Sequence, residues 1–102
     1  MTDDPAPSAF AADADRWTFS GVLTFDDARA VLDAAASLPL PKSGVVDLSG
    51  LAHADSAALA VLLALLRRAK AERSHPLRFV GVPPMLDSLA RVYGIEDLIV
   101  HA

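Results

Sequence analysis

The chain has 102 residues, 53% of them hydrophobic and 6% aromatic, with no cysteine and a formal net charge of −4 at pH 7. That length fits one domain able to bury a core without metal or disulfide staples. The missing cysteine removes disulfides, thiolate zinc sites, iron–sulfur clusters and cysteine nucleophiles together, and suits a reducing compartment.

Twenty Ala and fifteen Leu favour helices packed closely on a flat surface over a β-sandwich rich in Val, Tyr and Trp. The longest apolar run, Ala57 to Leu66, would span roughly 15 Å as helix, about half the hydrocarbon thickness of a bilayer. The acidic, Pro-containing start is the opposite of a secretory signal. No direct membrane insertion is expected. Residues 1–33 hold seven Asp against Arg16 and Arg29, and an acidic chain is a poor binder of nucleic acid, so none is expected as a partner.

In chain order, residues 1–8 read as a frayed acidic tail. Two short strands are expected between Phe10 and Ser20, the firmer being Arg16 to Ser20 with Trp17 and Phe19 on one face, and Gly21 breaks it. Thr24 looks like an N-cap, with Asp26 and Asp27 in the first turn. Ala28, Val31, Leu32 and Ala35 then give a helix over about 25–38, stopped by Pro39 and Pro41.

Gly44 to Leu48 predicts a buried strand, and Ser49 to Ala54 a loop. A long helix follows over about 56–73. Leu77 to Val80 is a further strand after the break at His75-Pro76. Pro83-Pro84 opens a third helix whose apolar face is Met85, Leu86, Leu89, Ala90 and Tyr93, and Gly94 ends it. Ile95 to Val100 is a short apolar terminus that must dock. The order β-β-α-β-α-β-α predicts a small mixed sheet with the helices on one face.

Reactive constellations are scarce. His53, His75 and His101 have no helical metal-pair spacing, and no acidic calcium loop occurs. His53, Asp55 and Ser56 name a hydrolase triad, but within four residues of one loop the base cannot both face the serine and be oriented from behind. The five glycines are scattered singly, so no phosphate-cradling loop exists. A non-enzymatic module with no catalytic residue, metal or cofactor is expected. Arg67, Arg68, Lys70, Arg73 and Arg78 form the one basic cluster, which suits the last turns of a helix; a phosphate or lipid-headgroup contact is the alternative.

Two features stand out. The second helix is apolar nearly all round. With Leu59 at zero degrees, Leu62, Leu63 and Leu66 lie within about 60° and form the stripe expected on the sheet. Ala57, Ala60, Val61, Ala64 and Leu65 lie on the far side, which either the first or third helix covers or a partner binds. The other feature is Asp55-Ser56 at the helix start, a capping pair worth about 1 kcal/mol, a partner's anchor, or a phosphorylation site.

The segment Val45-Val46-Asp47-Leu48-Ser49-Gly50-Leu51-Ala52-His53-Ala54-Asp55-Ser56-Ala57-Ala58-Leu59-Ala60 resembles the centre of STAS domains, the sulfate-transporter and anti-sigma-factor-antagonist family. There, a strand ending in Asp-Leu-Ser leads through a short loop to a long helix opened by Asp and then Ser or Thr. Phe19 to Thr24, Leu77 to Val82 and Leu89 to Gly94 extend the resemblance over roughly residues 16–99. It implies a single α/β domain at 9–102 with a mixed sheet of four or five strands and helices on one face.

Two functions follow from the resemblance. In anti-sigma-factor antagonists a kinase phosphorylates the residue directly after Asp-Ser/Thr; here that is Ala57, which has no hydroxyl, leaving Ser56 as acceptor. The MlaB-like branch comprises cytoplasmic STAS subunits of ABC transporters that move phospholipid and maintain outer-membrane asymmetry in bacteria. Asp55 to Leu63 fits it except at Val61, as does Leu89 to Tyr93. On that branch the partner is the transporter's ATPase, bound through Asp55, Ser56, Ala57, Ala60, Val61, Ala64 and Leu65, with Ser56 as polar anchor. The alternative partner is an anti-sigma factor or related kinase. The location implied is cytoplasmic, peripheral to the inner membrane.

Overall fold

A computed structural model describes residues 8–12, 15–72 and 77–99. Strands β1 (Ala9–Ala12) and β2 (Arg16–Leu23) lead into helix α1 (Phe25–Ala36). Strand β3 (Val45–Ala54), helix α2 (Ser56–Glu72), strand β4 (Arg78–Val80), helix α3 (Pro84–Val92) and a one-turn helix α4 (Glu96–Ile99) follow. The sheet order is β1-β2-β3-β4, with β1 antiparallel to β2 and the other pairs parallel. Parallel neighbours need a crossover; α1 supplies it between β2 and β3, and α2 between β3 and β4. The α/β architecture with a mixed sheet is the one expected, with four strands. A radius of gyration of 13.0 Å is that of one compact domain of about 100 residues.

Alternation along β2 and β3 decides which face is covered. Trp17, Phe19, Leu23, Val46, Leu48 and Leu51 are buried, while Arg16, Thr18, Ser20 and Ser49 are exposed. Helices therefore cover one face and the other carries polar side chains, as for a half-buried sheet. Phe10 joins the buried face from β1, 5.4 Å from the Trp17 ring and 4.9 Å from the Phe19 ring. The Trp17 indole donates to the Pro39 carbonyl at 2.9 Å, so the chain turn after α1 satisfies the one polar atom of this buried aromatic.

Several boundaries differ from the sequence reading. Gly21 does not break β2; the strand runs on to Leu23, with register shifts against β3 on either side of Ser20-Gly21. Ser49 to Ala54 is strand, since Gly50, Leu51, His53 and Ala54 all pair with β2. Ser8, assigned to the tail, is held: its Oγ accepts the Val22 N–H at 2.9 Å. Residues 1–7, the rest of that tail, lie outside the described residues, as does Arg73 of the basic cluster.

Arg68 serves a different helix from the one expected. It donates to the Ala35 and Leu38 carbonyls at the C-terminal end of α1 and pairs with Glu72. A cation from the neighbouring helix thus adds hydrogen bonds at the negative end of the α1 dipole. At the far side of the fold, Gly94 takes φ +72°, donates to Arg91, and lets Ile95 donate to Ala90 at 2.9 Å. This left-handed turn closes α3 and sends the chain into α4, where Ile99 is fully buried. Among the described residues no helix is long and apolar enough to cross a membrane.

Candidate docking surface

The site is built around Asp55, the residue between β3 and α2. Its carboxylate accepts the Ala57 N–H at 2.8 Å and the Phe25 N–H at 3.0 Å. One side chain therefore caps two helices, fixing the starts of α1 and α2 side by side. Thr24, expected to cap α1, sits at the N-cap position without a side-chain bond to the backbone; its hydroxyl donates to Asp27. The capping role expected for Asp55-Ser56 belongs to Asp55 alone, because Ser56 is already the first helical residue and is exposed.

The phase of α2 corrects the faces assigned from sequence. Buried residues are Ala58, Leu59, Val61, Leu62, Leu65 and Ala69. Val61 and Leu65, expected on the outward face, keep only 2% and 1% of their surface, while Leu63 and Leu66, expected on the sheet, are half-buried. The outward row is Ser56, Ala60, Leu63 and Arg67, rotated by roughly 100° from the expected face at 100° per residue. The cause lies in the neighbours: α2 is flanked by α1 and α3, so burial reaches beyond the sheet-facing stripe to residues on its sides.

Two grooves flank this row. One, of about 780 Å³, runs between α1 and α2; Ala28, Leu32, Ala57, Ala60 and Val61 give it an apolar lining, and Asp26, Arg29, Asp55 and Ser56 add polar groups. The second, of about 280 Å³, lies between α2 and the turn after α3, and is lined by Ser56, Leu59, Ala60, Leu63, Tyr93 and Ile95. Of the seven residues expected to bind a partner, Asp55, Ser56, Ala57, Ala60 and Val61 converge on the first groove. Ala64 lies half-buried outside both linings, and Leu65 is in the core.

Two aromatics that the sequence reading did not assign here complete the surface. Phe25 is 80% exposed and Tyr93 58% exposed, one beside each groove. Phe25 shares a helical row with Ala28 and Leu32, which was the available signal. Tyr93 carries the spacing of the buried Leu86 and Ala90, but it stands at the helix end, beside Ser56 and not above the sheet. An apolar surface rimmed by polar residues is of the kind that partners bind.

A family model described as "Mlab, STAS domain" matches residues 9–100. No curated protein matches the chain.

Proposed function

The chain belongs to the STAS domain family, in its MlaB-like branch, and from that membership we propose that it binds the ATPase subunit of a phospholipid-moving ABC transporter and holds it in an assembly-competent form. STAS proteins of this kind are accessory or regulatory and act through protein–protein contact. The proposed role is mechanical and non-catalytic, exercised at the cytoplasmic side of the inner membrane in support of outer-membrane lipid asymmetry. The nucleotide site belongs to the partner.

One observation carries the reading. Asp55 caps both helices, and the Ser56 hydroxyl, which makes no hydrogen bond among the described residues, stands on the ridge between two grooves with an exposed aromatic beside each. An interface core of small and aromatic residues around one polar group is the composition that a docking surface needs.

Co-expression with the transporter ATPase of the same genome tests it. A complex should co-purify with the native chain and be lost with Ser56→Asp, which places a second carboxylate beside Asp55. Absence of any complex with the native chain would sink the reading. A kinase-like anti-sigma factor taking the ATPase's place, with phosphate on Ser56, would assign the chain to the regulatory branch.

A further inference from the structure

We propose that the free chain pairs with a second copy of itself through the outward row of α2, in an antiparallel two-fold arrangement that covers the docking surface until the partner displaces it. The proposal rests on the docking reading for its regulatory meaning, but the pairing follows from the row itself. Ser56, Ala60, Leu63 and Arg67 are spaced four, three and four residues apart, the spacing of a coiled-coil seam.

A two-fold axis between positions 61 and 62 sets Ala60 opposite Leu63 of the other copy, and Ser56 opposite Arg67. Small meets large at the centre, so two helices can interdigitate closely at a shallow crossing angle.

Charge selects the second copy over an unrelated helix. Asp26 of α1 and Asp55 line the groove at the N-terminal end of the row, where Arg29 is paired with Asp33, and the C-terminal end carries Arg67 and Lys70. Among the described residues Asp26, Arg67 and Lys70 make no ion pair. Antiparallel pairing brings each acidic end onto the other copy's basic end, whereas parallel pairing would set like charges together. It also places Arg67 between the exposed Phe25 and Tyr93 of the other copy, where a guanidinium gains from aromatic faces. An isologous contact of this kind closes on itself and does not propagate.

Sedimentation velocity of the isolated chain over a range of concentrations tests the pairing. A monomer–dimer equilibrium should appear, weaken at least tenfold with Ala60→Arg or Arg67→Glu, and recover when Arg67→Glu is combined with Asp26→Arg. The cysteine-free sequence allows a register check. Chains carrying Ser56→Cys should form disulfides with chains carrying Arg67→Cys in preference to forming them with one another, because bridging needs Cα atoms within about 7 Å.

A chain that stays monomeric at all concentrations overturns the proposal, as does a dimer indifferent to Ala60→Arg or one cross-linked Ser56→Cys to Ser56→Cys. Binding of the ATPase by a strictly monomeric chain would leave the docking reading standing and this pairing refuted. A dimer with the predicted register and no affinity for the ATPase would do the reverse.

Discussion

Asp55 and Asp47 show how single carboxylates organise this fold. Asp55 bonds the backbones of two helices, so Asp55→Ala should lower stability by about 2 kcal/mol, the loss of two caps at roughly 1 kcal/mol each. Ser56→Ala, at an exposed site with no capping bond, should change it by less than about 0.5 kcal/mol. Urea unfolding followed by fluorescence of the single tryptophan, Trp17, measures both; equal losses would return the cap to Ser56.

Asp47 sits on the polar face of the sheet. The Ser49 N–H donates to its Oδ1 at 2.8 Å and Arg16 to its Oδ2 at 3.0 Å. The Ser49 backbone bond first and then the Ser49 hydroxyl hold its pKa below the ordinary 3.8; burial opposes them, and the Arg16 charge adds the smallest lowering effect. Protons therefore bind more tightly to the unfolded chain. Asp47 contributes its stabilisation in full above that ordinary range and loses it as pH falls through the lower, folded value. Asp47→Asn should accordingly flatten the decline of stability below about pH 4, as read by unfolding at a series of acid pH values. Gly81 belongs to the same arrangement, because at φ +64° a side chain there would meet Asp47 Oδ1 at 2.8 Å.

At the scale of elements, α2 separates stability from binding along one helix. Leu65→Ala should cost about 2–5 kcal/mol, as for a buried Leu whose site cannot fully collapse. Ala60→Arg, on the exposed row, should cost less than about 0.5 kcal/mol. Thermal unfolding of the two variants checks this, and the reverse order would restore the face read from sequence.

The reading of that face failed for a physical reason: a helix apolar on all sides carries little phase information in its hydrophobic residues. The information was in its cations. Arg67 lies on the row of Ser56, Ala60 and Leu63, and Lys70 follows one turn later, marking the solvent side that the leucines leave undecided. In β3, Ser49-Gly50 read as a loop because isolated polar and glycine residues resemble a turn. Pairing with β2, through a locally shifted register, keeps the strand intact.

For the whole molecule, the fold was legible because order and spacing of short motifs agreed with local pattern: Trp17 and Phe19, Val46 and Leu48, and Phe79 all face the core as their alternation requires. The site was legible only in part. Asp55, Ser56, Ala57 and Ala60 could be placed from the helix start, since that position fixes them whatever the helix phase. Phe25 and Tyr93 could not be brought beside α2, because only packing of α1 and α3 against α2 does so. A surface assembled from three helices is a property of the tertiary structure.

Titration calorimetry of the transporter ATPase against three forms of the chain decides whether the α2 row is the docking surface. The native chain and Thr18→Arg, altered on the open face of the sheet, should bind alike. Ala60→Arg should bind at least 100-fold more weakly, a loss of about 2.7 kcal/mol, while folding as the native chain does. Equal affinity for all three forms, or a loss confined to Thr18→Arg, would contradict the assignment of the α2 row as the docking surface.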